Sequence, residues 1–309
     1  MKIYRIILII FVLSIRSFYG QQENIFTQWC LNQNTYNPAL AGIKNYQELK
    51  LLSRFQWVGF EGAPVSHLIN YSTQIQSKRT EYLTPRHGIQ IQFENDKIGA
   101  FGTNRIVAGY AFHRNFSKEA RFSVGIRGGL TQLYFDNTKL NPLQPDPAFN
   151  RNRTIYLPNV ALGMWWNTNR YYTGLSIQQL GKTTWDQLGN SSAFSTHLIL
   201  TGGTKFELSN SVTFLPNLLV SKTFSNPTRI DAIGYFDFQN KLKVGLGFRN
   251  NESFIGLFQI KINHQFLIGY SIDYISNGLN TSYLMSHELN FQYMGEHIKD
   301  TEKLSCPMF

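Results

Sequence analysis

The sequence predicts an all-β fold, a transmembrane outer-membrane β-barrel of about 14 antiparallel strands. Three observations carry the prediction. Apolar and polar residues alternate through the last third of the chain: Phe266, Ile268, Tyr270, Ile272 and Tyr274 share one face of an extended segment, with Gly269, Ser271 and Asp273 on the other. Charged residues make up only 16% of the chain and aromatic residues 15%, against roughly 25% charged in ordinary soluble domains. After the first twenty residues no apolar run reaches the roughly 20 residues of a spanning helix, which leaves a closed sheet as the one structure able to cross a bilayer.

The elements follow in order. Lys2 and Arg5, the apolar run Ile6–Ile15 and a short stretch ending at Gly20 form a secretory signal over residues 1–20. Removing it lowers the formal charge from +10 to +7. Residues 21–47 do not alternate but hold Phe26, Trp29, Tyr36 and Pro38. That aromatic content predicts an N-terminal periplasmic or plug-like segment folded into or beneath the barrel, not a disordered leader. Strands are expected near 48–57, 67–76, 88–95, 104–113, 121–135, 159–167, 170–180, 196–207, 212–222, 228–238, 241–249, 252–262, 264–275 and 282–294. The barrel thus covers 48–294, and 295–309 form a periplasmic C-terminal tail.

Short links such as Asn167–Arg170, Gln239–Lys241 and Asn263–His264 alternate with long ones such as Asp136–Pro158 and Gly181–Ser195. This fits periplasmic turns and external loops. Two links break the pattern: Ser77–Arg86 is long where a turn belongs, and Arg249–Glu252 is short where a loop belongs. Asp136–Pro158 carries Phe149, Arg151, Arg153 and Tyr156, cations beside aromatics on a proline-rich backbone, and is the expected partner-binding loop. Asp231, Asp237, Asp273, Glu288, Arg127, Lys243 and Lys261 are expected to face the lumen, as paired charges that shape the barrel or as a selectivity lining.

The residues supply no reaction chemistry and no cofactor or metal site. His287-Glu288 lacks a second histidine at Phe291, so no zinc motif forms. Gly245-Leu246-Gly247 lies inside a strand, without the third glycine or the helix of a nucleotide loop. Ser286-His287 and Ser66-His67 are strand neighbours whose side chains point to opposite faces. Lys and Arg are scattered without the dense patch of a nucleic-acid binder, so anionic outer-membrane lipid is the expected use of the basic charge. In an oxidising compartment Cys30 and Cys306, near the two ends, can pair: an even strand number brings both ends to one side.

Four ordered blocks carry a resemblance. They are Phe26-Thr27-Gln28-Trp29 with Tyr36-Asn37-Pro38-Ala39-Leu40-Ala41-Gly42; Arg54-Phe55-Gln56-Trp57-Val58-Gly59-Phe60-Glu61-Gly62-Ala63-Pro64; Asn95-Asp96-Lys97-Ile98-Gly99; and Cys306-Pro307-Met308-Phe309. The chain resembles the PorP/SprF family of outer-membrane proteins of the Bacteroidetes type IX secretion system, with Leu40 in place of an aromatic, Glu61 of Asp and Met308 of a basic residue. The resemblance implies a non-enzymatic envelope component that works with other secretion-system proteins and supports export or surface anchoring of a secreted client such as a gliding adhesin. A porin or hydrophobic-solute channel is the alternative. The motif residues themselves read as turn and backbone punctuation.

Overall fold

The computed structural model describes residues 25–75, 84–117, 119–139, 153–180, 183–185, 192–194, 196–223, 227–250, 252–276 and 285–297. Within them run β1 (Tyr46–Phe55), β2 (Val65–Ile75), β3 (Arg86–Ile98), β4 (Phe101–Ser117), β5 (Ala120–Phe135), β6 (Arg153–Thr168), β7 (Tyr171–Gln178), β8 (Thr183–Trp185), β9 (Ser192–Phe194), β10 (His197–Thr204), β11 (Phe206–Glu207), β12 (Val212–Thr223), β13 (Arg229–Phe238), β14 (Leu242–Arg249), β15 (Ser253–Lys261), β16 (Phe266–Ile275) and β17 (Met285–His297). Fourteen of these close one antiparallel barrel: β1 pairs with both β2 and β17, β10 bridges β7 and β12, and every other barrel strand pairs with its neighbours in sequence. β8 and β9 form a small separate hairpin, and β11 only extends the β12 ladder. Closure leaves no open edge in the ring, as a sheet in lipid requires.

The alternation sorts the two faces. Ile91, Ile106, Ile126, Leu200, Leu246 and Phe258 are exposed on the outside, while Gln90, Arg105, Arg127, Thr201, Gly245 and Gln259 on the same strands point inward. Cross-strand aromatic pairs on the outer face, Phe248–Phe254 at 5.5 Å and Phe214–Phe236 at 4.9 Å between ring centroids, help fix the register.

One end of the barrel carries short turns at Asn169–Arg170, Gln239–Lys241 and Ile262–Gln265, together with the start of β1 and the end of β17. The other end carries the longer links 56–64, 136–152 and 179–196. Both expected exceptions are real features. The link 76–85 is long at the short-turn end, and Asn250–Glu252 is short at the other.

The expected loop Asp136–Pro158 is shorter than its prolines suggested. β6 starts at Arg153, so Arg153 and Tyr156 are strand residues, and Tyr156 faces outward and accepts a hydrogen bond from Gln132 Nε2 at 3.1 Å. Phe149 and Arg151 lie outside the described residues. Pro158 fits a strand because it pairs with Leu130 of β5 on one side and lies beyond the β6–β7 ladder, which spans Leu162–Asn167. Pro216 repeats the solution in β12, one residue past the end of the β10–β12 ladder.

Candidate functional site

Inside the barrel the chain preceding β1 is the dominant feature. Residues 25–43 are buried throughout except for half-buried Leu31, and they include three short 3₁₀ turns, η1 (Trp29–Leu31), η2 (Gln33–Thr35) and η3 (Pro38–Leu40). No sheet pairs with this stretch, so its backbone groups are satisfied either locally or by lumen side chains. Tyr36 Oη accepts from Phe26 N at 2.6 Å, folding the segment on itself. Asn37 caps η3 by accepting from Ala39 N at 3.0 Å, with Pro38 at the first position of the turn.

The wall holds the segment at both of its ends. Near the long-link end, the Glu288 carboxylate accepts from Thr27 N at 2.6 Å and Gln28 N at 3.0 Å. Asp273 accepts from Thr27 Oγ1 at 2.8 Å, and Arg54 donates to the Ile25 carbonyl at 2.6 Å. Farther along, Gln90 Nε2 donates to Asn34 O at 2.9 Å, Arg127 to Thr35 O at 2.5 Å and Asn37 Nδ2 to Met164 O at 2.9 Å. His113 Nε2 donates to Ala41 O at 2.8 Å, and Gly42 N to Ser72 Oγ at 2.7 Å. Gln33 Nε2 donates to Tyr172 Oη of β7 at 2.6 Å and Arg229 of β13 to Ile25 O at 3.4 Å, so the segment contacts β1–β7, β13, β16 and β17. Its apolar side chains Ile25, Phe26, Trp29 and Tyr36 pack with inward residues that include Leu52, Leu219, Ile233 and Tyr235.

Two wall glycines make room for this. A Cβ on Gly88 would lie 1.9 Å from Ala41 O, and one on Gly125 2.4 Å from Pro38 O. Those positions require close backbone approach.

Of the expected lumen charges, Asp231, Asp273, Asp237 and Lys243 sit in ion pairs, whereas Glu288 and Arg127 instead hold backbone groups of the N-terminal segment. Arg249 Nε lies 3.1 Å from Asp231, which also takes Arg229 at 2.8 Å; Arg249 Nη1 and Arg54 Nη2 meet Asp273 at 3.1 and 3.0 Å. All but Arg229 are almost fully buried. Such a network is stable only when each charge keeps its partners. Asp237 and Lys243 pair more loosely at 3.8 Å, and Lys261 faces the lumen near the short-turn end.

Cys30 carries a free, buried thiol in η1, and burial pushes it up to about 12, with Lys243 pulling the other way. Cys306 lies outside the described residues. The motif residues of the second and third blocks meet at the long-link end. Gln56, Trp57, Gly59, Phe60, Gly62, Ala63 and Pro64 form the β1–β2 link, and Asn95, Asp96, Lys97 and Ile98 end β3 before Gly99. Gly99 N donates to Gly62 O at 3.0 Å, Gln56 N to Pro64 O at 2.9 Å and Ser66 Oγ to Asp96 at 2.5 Å. Trp57, Gly59, Gly62 and Gly99 all have positive φ, so these blocks shape a tight double turn. Sequence reasoning missed that the two blocks touch, and missed Arg54, Gln90 and His113 as wall residues of the segment and Arg249 as the partner of Asp231 and Asp273. Their inward parity was the available signal. Among the described residues no group of His, Cys, Asp or Glu is arranged to hold a metal ion.

A closed fourteen-stranded ring with an apolar outside and a polar, charged inside is an outer-membrane barrel. The family model for the type IX secretion system membrane protein PorP/SprF matches residues 18–293, and the chain belongs to that family. It is a protein of the outer membrane. Among solved structures it is similar in fold to the toluene transporter TbuX of Ralstonia pickettii, with 10% identity, 92% of this chain and 100% of that one covered and a TM-score of 0.50. It is likewise similar to the CymD monoaromatic hydrocarbon channel, with 11% identity, 91% and 96% coverage and a TM-score of 0.51. No curated protein matches the chain.

Proposed function

We propose that this protein is a non-enzymatic outer-membrane component of the type IX secretion system that supports export or surface anchoring of a secreted client, such as a gliding adhesin, and that its own N-terminal segment plugs the barrel. The observation that carries the plug is the burial of residues 25–43 among hydrogen-bonding groups of ten wall strands. A pathway for solute would have to displace it. The client faces the long-link end, which is external by the rule for such barrels, while other secretion-system proteins meet the periplasmic end. Deleting the gene impairs secretion or surface display of the client and leaves small-solute permeability unchanged. The fold shared with hydrocarbon channels favours a second reading, a hydrophobic-solute channel. Normal display of every secreted adhesin in the deletion strain, with stepwise conductance by the intact purified barrel, would establish the channel and sink the secretion role.

A further inference from the structure

A cavity of about 270 Å³ opens beside the short turns of the barrel, between the end of the N-terminal segment and the inner faces of β1 and β14–β17. Its lining holds Lys44, Lys241, Lys243, Lys261 and His264 and no carboxylate. Strand parity explains the concentration. Lys243 and Lys261 share the inward parity of Gly245 and Gln259, Lys241 continues the inward row of β14 into its turn, and His264 stands in the next turn.

The nearby carboxylates are already engaged. Glu48 lies 2.5 Å from Lys44 and 3.5 Å from Lys50, and accepts from Gln292 Nε2 at 2.7 Å; Asp237 lies 3.8 Å from Lys243. Lys241 and Lys261 make no ion pair among the described residues. Four lysines therefore line this mouth, and the two carboxylates beside it, Glu48 and Asp237, are each already held by a lysine.

We propose that this cavity is an anion-binding site that receives carboxylate side chains of an acidic segment of a periplasmic partner protein. Leu31, Leu267 and Met294 give it an apolar floor suited to the methylenes of a glutamate, and the lysines at its rim supply the charge. Membrane lipid is the wrong occupant, because these side chains have the parity of the lumen and not of the lipid face. The site rests on the orientation used for the proposed function but not on any client, so its test is made on purified protein.

The probe is fluorescein-labelled hexaglutamate, titrated by anisotropy against the full-length barrel in neutral detergent. Binding is expected, weakening as salt rises from about 50 to about 300 mM. The K241Q/K261Q variant weakens it by about tenfold, whereas K205Q/R170Q, which removes equal charge from other turns at the same end, changes it by less than about twofold. The heat-dependent gel shift of each variant verifies that it is folded. Absence of hexaglutamate binding, equal loss in both variants, or binding of inorganic pyrophosphate without binding of hexaglutamate would each overturn the proposal. A secretion defect in the deletion strain with no hexaglutamate binding would remove this site and leave the secretion role standing.

Discussion

At the scale of single residues, the lumen is governed by groups that cannot be left without their partners. Asp273 accepts from Thr27 and neutralises two buried arginines, Arg54 and Arg249. Asp273→Ala takes a carboxylate from both buried cations and should cost about 3–5 kcal/mol, read as a lower temperature for the heat-dependent gel shift; Asp273→Asn keeps an acceptor and costs less. Glu288→Ala leaves two buried backbone amides without an acceptor, a loss of about 1–3 kcal/mol for each. That variant should release the first residues of the segment to protease while the barrel itself stays intact. Cys30 supplies a chemical probe of the same interior. Pushed up to about 12, its thiol in folded, reduced protein should be alkylated by iodoacetamide at pH 8 far more slowly than in denatured protein, because the thiolate is the nucleophile. Mass spectrometry of labelled peptides measures the ratio, and equal rates would contradict the buried position.

At the scale of elements, the fourteen barrel strands were legible because one face of each meets lipid, and period-two alternation survives wherever that contrast is enforced. Legibility failed at the ends. β4 runs Phe101–Ser117 and β6 Arg153–Thr168, longer than the roughly 9–11 residues lipid demands, and their extensions carry polar residues on both faces. Pro158 looked like a loop signal because a sequence does not reveal that one neighbouring ladder stops short of it. The path of the N-terminal segment was only half visible. Phe26, Trp29 and Tyr36 showed that residues 21–47 bury something, but the irregular path through 3₁₀ turns has no period, and its partners lie on strands far away in sequence. Deleting residues 25–43 should convert an electrically silent barrel into one with stepwise conductance in planar bilayers. Gly88→Val, which forces the segment off the wall without shortening the chain, should raise conductance in the same direction. Silence of both variants in folded form would remove the plug.

At the scale of the whole molecule, closure explains the composition. A ring in which β1 meets β17 satisfies its backbone without water, so few charges are needed outside, and the polar residues concentrate inside with the segment. The intact protein should stay in the membrane through alkaline carbonate washing and migrate differently before and after boiling; release by carbonate, or a monodisperse product without detergent, would contradict the barrel.

The bonds from Thr27 and Gln28 to Glu288 join the beginning of the described chain to its last strand, across 261 and 260 positions. Such contacts are among the slowest to form, because nearly the whole polypeptide must be in place first. The carboxylate that receives these residues lies in β17, the barrel strand farthest from them in sequence, so the segment waits unsecured until β17 docks beside β1. Completion of the wall and capture of the leading strand-free stretch are then one event, which makes a cylinder sealed around an empty bore a poor intermediate on the way to the native state.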